Sequence, residues 1–139
     1  MKPDLQSPEP AQLAHPRTAG FRLSITDAIV IAIGTAATIA AIGPLGPMAG
    51  IFPMAVGHFF LFCNVFRLRR RYELIWTAIF LANFTAWTYT EFSWIGVLAI
   101  QLPVTALVIA LEIRSPRYHG ILATRLNPRV SEYLDGRIA

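Results

Sequence analysis

The chain has 139 residues, 55% of them hydrophobic and 14% charged, with a formal net charge of +4 and a mean hydropathy of +0.51. A soluble domain of this size is charged at about a quarter of its positions, so composition excludes an ordinary soluble globular domain. A single cysteine, Cys63, excludes an intrachain disulfide.

In chain order, residues 1–22 carry Pro3, Pro8, Pro10 and Pro16 among polar residues and read as a disordered cytoplasmic arm. The motif SITD then offers Ser24 as an N-cap with Asp27 three residues on, a capping-box start to a first apolar stretch at 24–43. This stretch follows a polar arm and is longer than the core of a cleaved signal, so it reads as a retained span. Ala28, Ala32, Ala36 and Ala40 recur every four residues along it, a spacing that lets helices approach closely, and predict a face packed on another span. The breaker-rich GPLGP turn (43–47) leads to a second stretch at 48–66, closed by Arg67, Arg69, Arg70 and Arg71. A third stretch, 74–90, carries Ala78, Ala82 and Ala86, and EFSW (91–94) turns into a fourth at 94–113. Pro53 and Pro103 each remove a backbone donor and predict bends. The tail, 115–139, predicts one short helix at 128–135, started by Asn127-Pro128, stopped by Gly136, and held by Val130, Tyr133 and Leu134.

A hydrocarbon core of about 30 Å takes roughly 20 helical residues. All four stretches fit that length, and none alternates as a barrel strand does. The expected fold is therefore an all-α integral membrane protein: four antiparallel transmembrane helices in two hairpins within a single domain, 23–114, plus the short cytoplasmic C-terminal helix.

Charge sets the expected orientation. Every Lys and Arg falls in the N-terminal segment, the loop between the second and third stretches, or the tail, while GPLGP and EFSW hold none. The positive-inside rule puts both termini and the RLRRRYE loop in the cytoplasm, with the chain in a cytoplasmic (inner) membrane of bacterial type. Arg67, Arg69, Arg70, Arg71, Arg114 and Arg117 are the expected contacts to anionic lipid headgroups. No nucleic-acid module accompanies these arginines, so nucleic acid is not an expected partner. Tyr72 and Trp76, and at the other end Trp87, Tyr89 and Trp94, read as interfacial aromatic belts.

Reflecting residue numbers about each loop compares depths in an antiparallel bundle. The loop between the second and third stretches sends 58 to 83, the next loop sends 83 to 101, and the first turn sends 58 next to Gly34 and Thr35. Thr35, His58, Asn83 and Gln101, with Thr105 one turn from Gln101, form an expected mid-membrane polar layer. Asp27, Asn64 and Thr77 form an expected inner layer by the same construction. Unpaired polar groups in hydrocarbon are costly, so both layers are expected to face inward and bond across helices.

His58 carries three readings. The first is a neutral histidine bonded to Asn83, Gln101 or a backbone carbonyl. The second is a proton or solute relay running through Asn64 and Asp27 to the cytoplasm. The third is axial ligation of haem or a chlorin, with Phe59, Phe60 and Phe62 against the macrocycle. His15 and His119 lie outside the apolar stretches, so a second axial ligand would come from another subunit. Cys63, five residues on, lies about 140° round a regular helix and does not share a metal with His58, and no metal site is expected. There is no phosphate loop, HExxH or Ser-His-Asp set, so no catalytic residue and no enzymatic activity is expected. The expected function is that of a structural, accessory or oligomeric membrane subunit whose partner is another membrane protein or itself; the alternative is a small transporter or proton-relay subunit.

Overall fold

A computed structural model describes residues 18–137. Residues 1–17 of the expected arm lie outside the described residues. The chain is all-helical, with no strand among the described residues: α1 (Ile25–Leu45), α2 (Ile51–Phe60), α3 (Arg70–Thr88), α4 (Trp94–Ile113), α5 (Ala123–Leu126) and α6 (Val130–Leu134). Two helical runs are long and apolar enough to cross a membrane, Ile25–Phe66 with 42 residues and Trp94–Ile113 with 20. α3 has the length but is the least apolar of the long helices, because its first turn is RRYE.

The 42-residue run folds back on itself. Ser24 and Asp27 form the expected capping box, with Asp27 N–H donating to Ser24 Oγ at 3.3 Å and Ser24 N–H to Asp27 Oδ2 at 2.7 Å. α1 stops at Gly46, whose φ of 53° is open to glycine, and a 3-10 turn (Gly46–Gly50) reverses the chain into α2. A Cβ on Gly34 would lie 2.7 Å from Val56 Cγ2, so α1 and α2 meet where a side chain is missing. The packed face of α1 therefore runs through Gly34 and Ala41. The alanine stripe was expected to pack, but Ala28, Ala32, Ala36 and Ala40 are exposed. The physical reason is rotation: Ala32 and Ala36 lie two residues from Gly34, about 200° round the helix, and the deepest groove takes the partner. Pro53 falls in the first turn of α2, where its missing donor costs least.

α2 runs into a π turn (Leu61–Phe66) that closes at Arg67 in the left-handed region, φ 51°. The N–H groups of Arg67 and Leu68 both point at Phe62 O, the second at 2.8 Å. The last carbonyls of the turn are capped from two distant segments: Arg22 N–H donates to Asn64 O (3.2 Å) and Ile121 N–H to Val65 O (2.8 Å). Gly20 N–H in turn donates to His119 O at 2.9 Å, joining these two segments to each other. Residues 18–22, expected as part of a disordered arm, are thus tied down by backbone pairing. Gly120 permits the tail's approach, since a Cβ there would sit 2.5 Å from Phe66 O.

The main core comprises Phe62, Leu68, Trp76, Phe80, Val97 and Val108, from the π turn, the following linker, α3 and α4; α1 contributes none of it. At the end away from the arginines, Trp94 Nε1 donates to Pro47 O at 2.7 Å, which pins the second hairpin to the first turn. A satellite core of Tyr118, Ala123 and Val130 holds the tail. There Asn127 Nδ2 donates to Pro116 O (2.8 Å) and Tyr118 O (2.9 Å), while its Oδ1 accepts from Arg129 N–H (3.0 Å) just before α6.

Candidate functional site

Three of the five side chains expected at mid-depth, His58, Gln101 and Thr105, gather around a residue assigned to the interface belt. Trp76 is 3% exposed. Its Nε1–H donates to Thr105 Oγ1 at 2.8 Å, and Thr105 Oγ1 donates to Gln101 O, also at 2.8 Å. Gln101 Nε2 donates to Trp76 O over a longer 3.4 Å. An indole buried between helices needs an acceptor for its N–H, and Thr105 is placed to supply it. The sequence carries that signal in the bulk of Trp76 opposite a hydroxyl on α4, but position near the arginines argued for the interface instead.

His58 stacks on Trp76, with ring centroids 4.4 Å apart and planes 20° apart, and meets Phe62 edge-on at 5.7 Å. Its Nδ1 lies 2.9 Å from Met54 O, so Nδ1–H donates to that carbonyl. Of the three partners expected for it, only the backbone carbonyl is used. The reason lies in the loop: α3 begins at Arg70, a turn before the expected 74, so the loop centres nearer 68 and residue 58 faces the level of 78. Trp76 is within two residues of that level; Asn83 is well beyond it.

Asn83 bonds elsewhere, Nδ2 donating to Val97 O at 2.9 Å. Asn83 therefore sits nearer the Trp94 end than Gln101 does, and the two do not share a layer. Thr35 is exposed on α1 and donates to Ile31 O of its own helix at 2.8 Å, as Thr38 does to Gly34 O at 2.7 Å. The expected single layer is thus a Trp76–Gln101–Thr105 cluster with His58 stacked beside it, a separate Asn83 bond, and a Thr35 that joins neither. Two acceptors remain buried without a hydrogen-bond partner among the described residues, Asn83 Oδ1 and Gln101 Oε1.

In the inner layer, Asp27 and Asn64 come together across the α1–α2 hairpin, as reflection about the first turn places them. Asp27 spends its hydrogen bonds on Ser24, and Asn64 Nδ2 is buried without a bond of ordinary geometry. Thr77 is exposed and lines a cleft between α2 and α3 rather than touching that pair.

Two polar groups at the arginine end were not expected. Glu112, 2% exposed, pairs with Arg69 Nε at 2.9 Å. Tyr118, fully buried, donates to Ile121 O at 2.7 Å; burial, with the Glu112 charge beside it, pushes its phenol above the ordinary tyrosine range. The only sequence signal for Glu112 is a lone carboxylate at the end of an apolar stretch whose loop partner is arginine-rich.

The arginines divide by what they touch. Arg67 donates to Thr18 O, and burial with Arg22 nearby lowers its pKa from the ordinary value. Arg69 is spent on Glu112, and Arg71 lies over the Tyr72 ring at 4.7 Å and donates to its hydroxyl. Arg70, Arg114 and Arg117 are exposed and form no ion pair among the described residues. No protein-family model matches the chain, and no curated protein and no solved structure shows a significant similarity to it.

Proposed function

We propose that the chain is a small polytopic membrane protein that works by association, as a structural or accessory subunit or as an oligomer, without catalytic chemistry of its own. In this reading α1 to α4 cross a cytoplasmic membrane four times, with both termini and the arginine loop inside. Arg70, Arg114 and Arg117 meet anionic headgroups, whereas Arg67 and Arg69 serve the chain's own fold.

The observation that supports association is the outward position of both alanine stripes. Ala28, Ala32, Ala36 and Ala40 on α1, and Ala78, Ala82 and Ala86 on α3, are exposed. Small residues at this spacing are what helices use to approach one another in lipid, where hydrophobicity alone supplies no preference between a helix and a lipid tail.

Purification in mild detergent, with mass identification of companions and of oligomer size, tests the reading. The double change Ala32→Leu, Ala36→Leu is expected to abolish the companion or the oligomer while leaving helix content unchanged. A monomer without companions, in both proteins, would overturn it. Topology is tested separately in a Cys63→Ser background, where Glu91→Cys and Arg125→Cys are expected to label from opposite sides of the membrane.

A further inference from the structure

Between α2 and α3 lies a cleft of about 290 Å³, open at the surface of the helix pair and contained within one chain. Its walls are apolar, with Phe59 as the half-exposed ring while Phe62, Trp76 and Phe80 are only 2–3% exposed, and its polar groups are Thr77 and Glu73. Phe62, Trp76 and Phe80 are engaged with one another edge-on and stacked, whereas Phe59 joins none of these ring contacts and is half exposed.

Glu73 is the unusual member. A carboxylate beside an apolar recess is costly unless a positive charge meets it. Four arginines lie within six residues of it in sequence, yet three are committed elsewhere, Arg67 to Thr18 O, Arg69 to Glu112 and Arg71 to Tyr72, and the fourth, Arg70, is exposed and forms no ion pair with it among the described residues. Among the described residues Glu73 forms no ion pair, and the bond it makes is with Cys63 Sγ at 3.1 Å, a weak donor. An apolar cleft with a half-exposed phenylalanine, beside a carboxylate that forms no ion pair, is complementary to one class of ligand, an organic cation with apolar substituents, held by charge at one end and by Phe59 and the apolar wall along its body.

We propose that the α2–α3 cleft binds a lipophilic organic cation, such as a tertiary or quaternary ammonium, with its charge against Glu73 and its apolar groups against the half-exposed Phe59. This goes beyond association and does not depend on it, because every contributing residue belongs to one chain.

The test uses the purified full chain in detergent, titrated with benzyltrimethylammonium and followed by tryptophan fluorescence and equilibrium dialysis. Saturable binding is expected. Glu73→Gln, which keeps the side chain's shape and an acceptor for Cys63, is expected to weaken it by at least about tenfold. Neopentylbenzene, the neutral carbon analogue, is expected to compete poorly. Ala55→Phe fills the cleft without touching charge and is expected to abolish binding with helix content retained. Absence of saturable binding, equal binding by Glu73→Gln, equal competition by the neutral analogue, or full binding by Ala55→Phe would each overturn the proposal. Failure of the alanine-stripe variants to alter association leaves this result unaffected, so the two readings fail separately.

Discussion

The two hairpins are joined by different chemistry. α3 and α4 are linked by side-chain hydrogen bonds that cross between them, Trp76 to Thr105, Gln101 to Trp76 O and Asn83 to Val97 O, and they supply most of the buried core. α1 and α2 meet by shape, at Gly34 against Val56, and Thr35 and Thr38 of α1 bond within their own helix. A hairpin held by directional bonds fixes its own register. One held by a missing side chain depends on van der Waals contact and leaves its other faces free for neighbours.

Four substitutions break or sharpen that contrast. Trp76→Ala removes the stacking with His58 and Phe80 and the donor to Thr105; a loss of about 3–5 kcal/mol is expected in denaturant titration of the detergent-solubilised protein. A loss below about 1 kcal/mol would mean that the second hairpin is not organised around Trp76. Gly34→Leu comes next. The Val56 methyl it meets belongs to a stiff β-branched side chain, so α1 is expected to separate from α2 at a cost of about 1–3 kcal/mol. Cross-linking between cysteines placed at 31 and 60 should fall while Trp76 fluorescence stays unchanged. Gln101→Leu should change stability by less than about 1 kcal/mol, because Gln101 gives up one long hydrogen bond and removes an unpartnered acceptor. If stability holds but a bound or transported solute is lost, Gln101 has a role beyond packing. Thr35→Val is expected to lie within about 0.5 kcal/mol of the parent, since its hydroxyl is exposed and serves its own helix. A larger loss would place Thr35 at a contact outside this chain.

Helix positions were legible because long apolar runs and Gly-Pro breakers act locally. The expected limits of 24–43, 48–66 and 94–113 lie close to α1, to α2 with its π turn, and to α4. Asp27 and Asn64 lie side by side across the short first turn, which has little length in which to shift their register. Reflection failed across the second loop, where α3 takes in Arg70 to Glu73 as helix, and this error sent His58 to Asn83 instead of Trp76. Which face of α1 packs was not legible, since a four-residue alanine repeat and a single glycine offer competing grooves and only the partner's shape decides. The Arg69–Glu112 pair was out of reach for a related reason: its members are 43 residues apart and meet only once α3 and α4 have closed into the second hairpin.

The capped π turn sets an order of assembly. Asn64 O and Val65 O belong to the second apolar helix to be made, yet the N–H that satisfies Val65 comes from Ile121, which follows both later helices. During synthesis that carbonyl must lean on solvent until α3, α4 and Ile121 have been laid down. The tail then closes a ring that also includes Gly20 and Arg22. The arginine-side end of the bundle is therefore finished last, and a ribosome stalled anywhere before Ile121 leaves behind helices whose common end is still open.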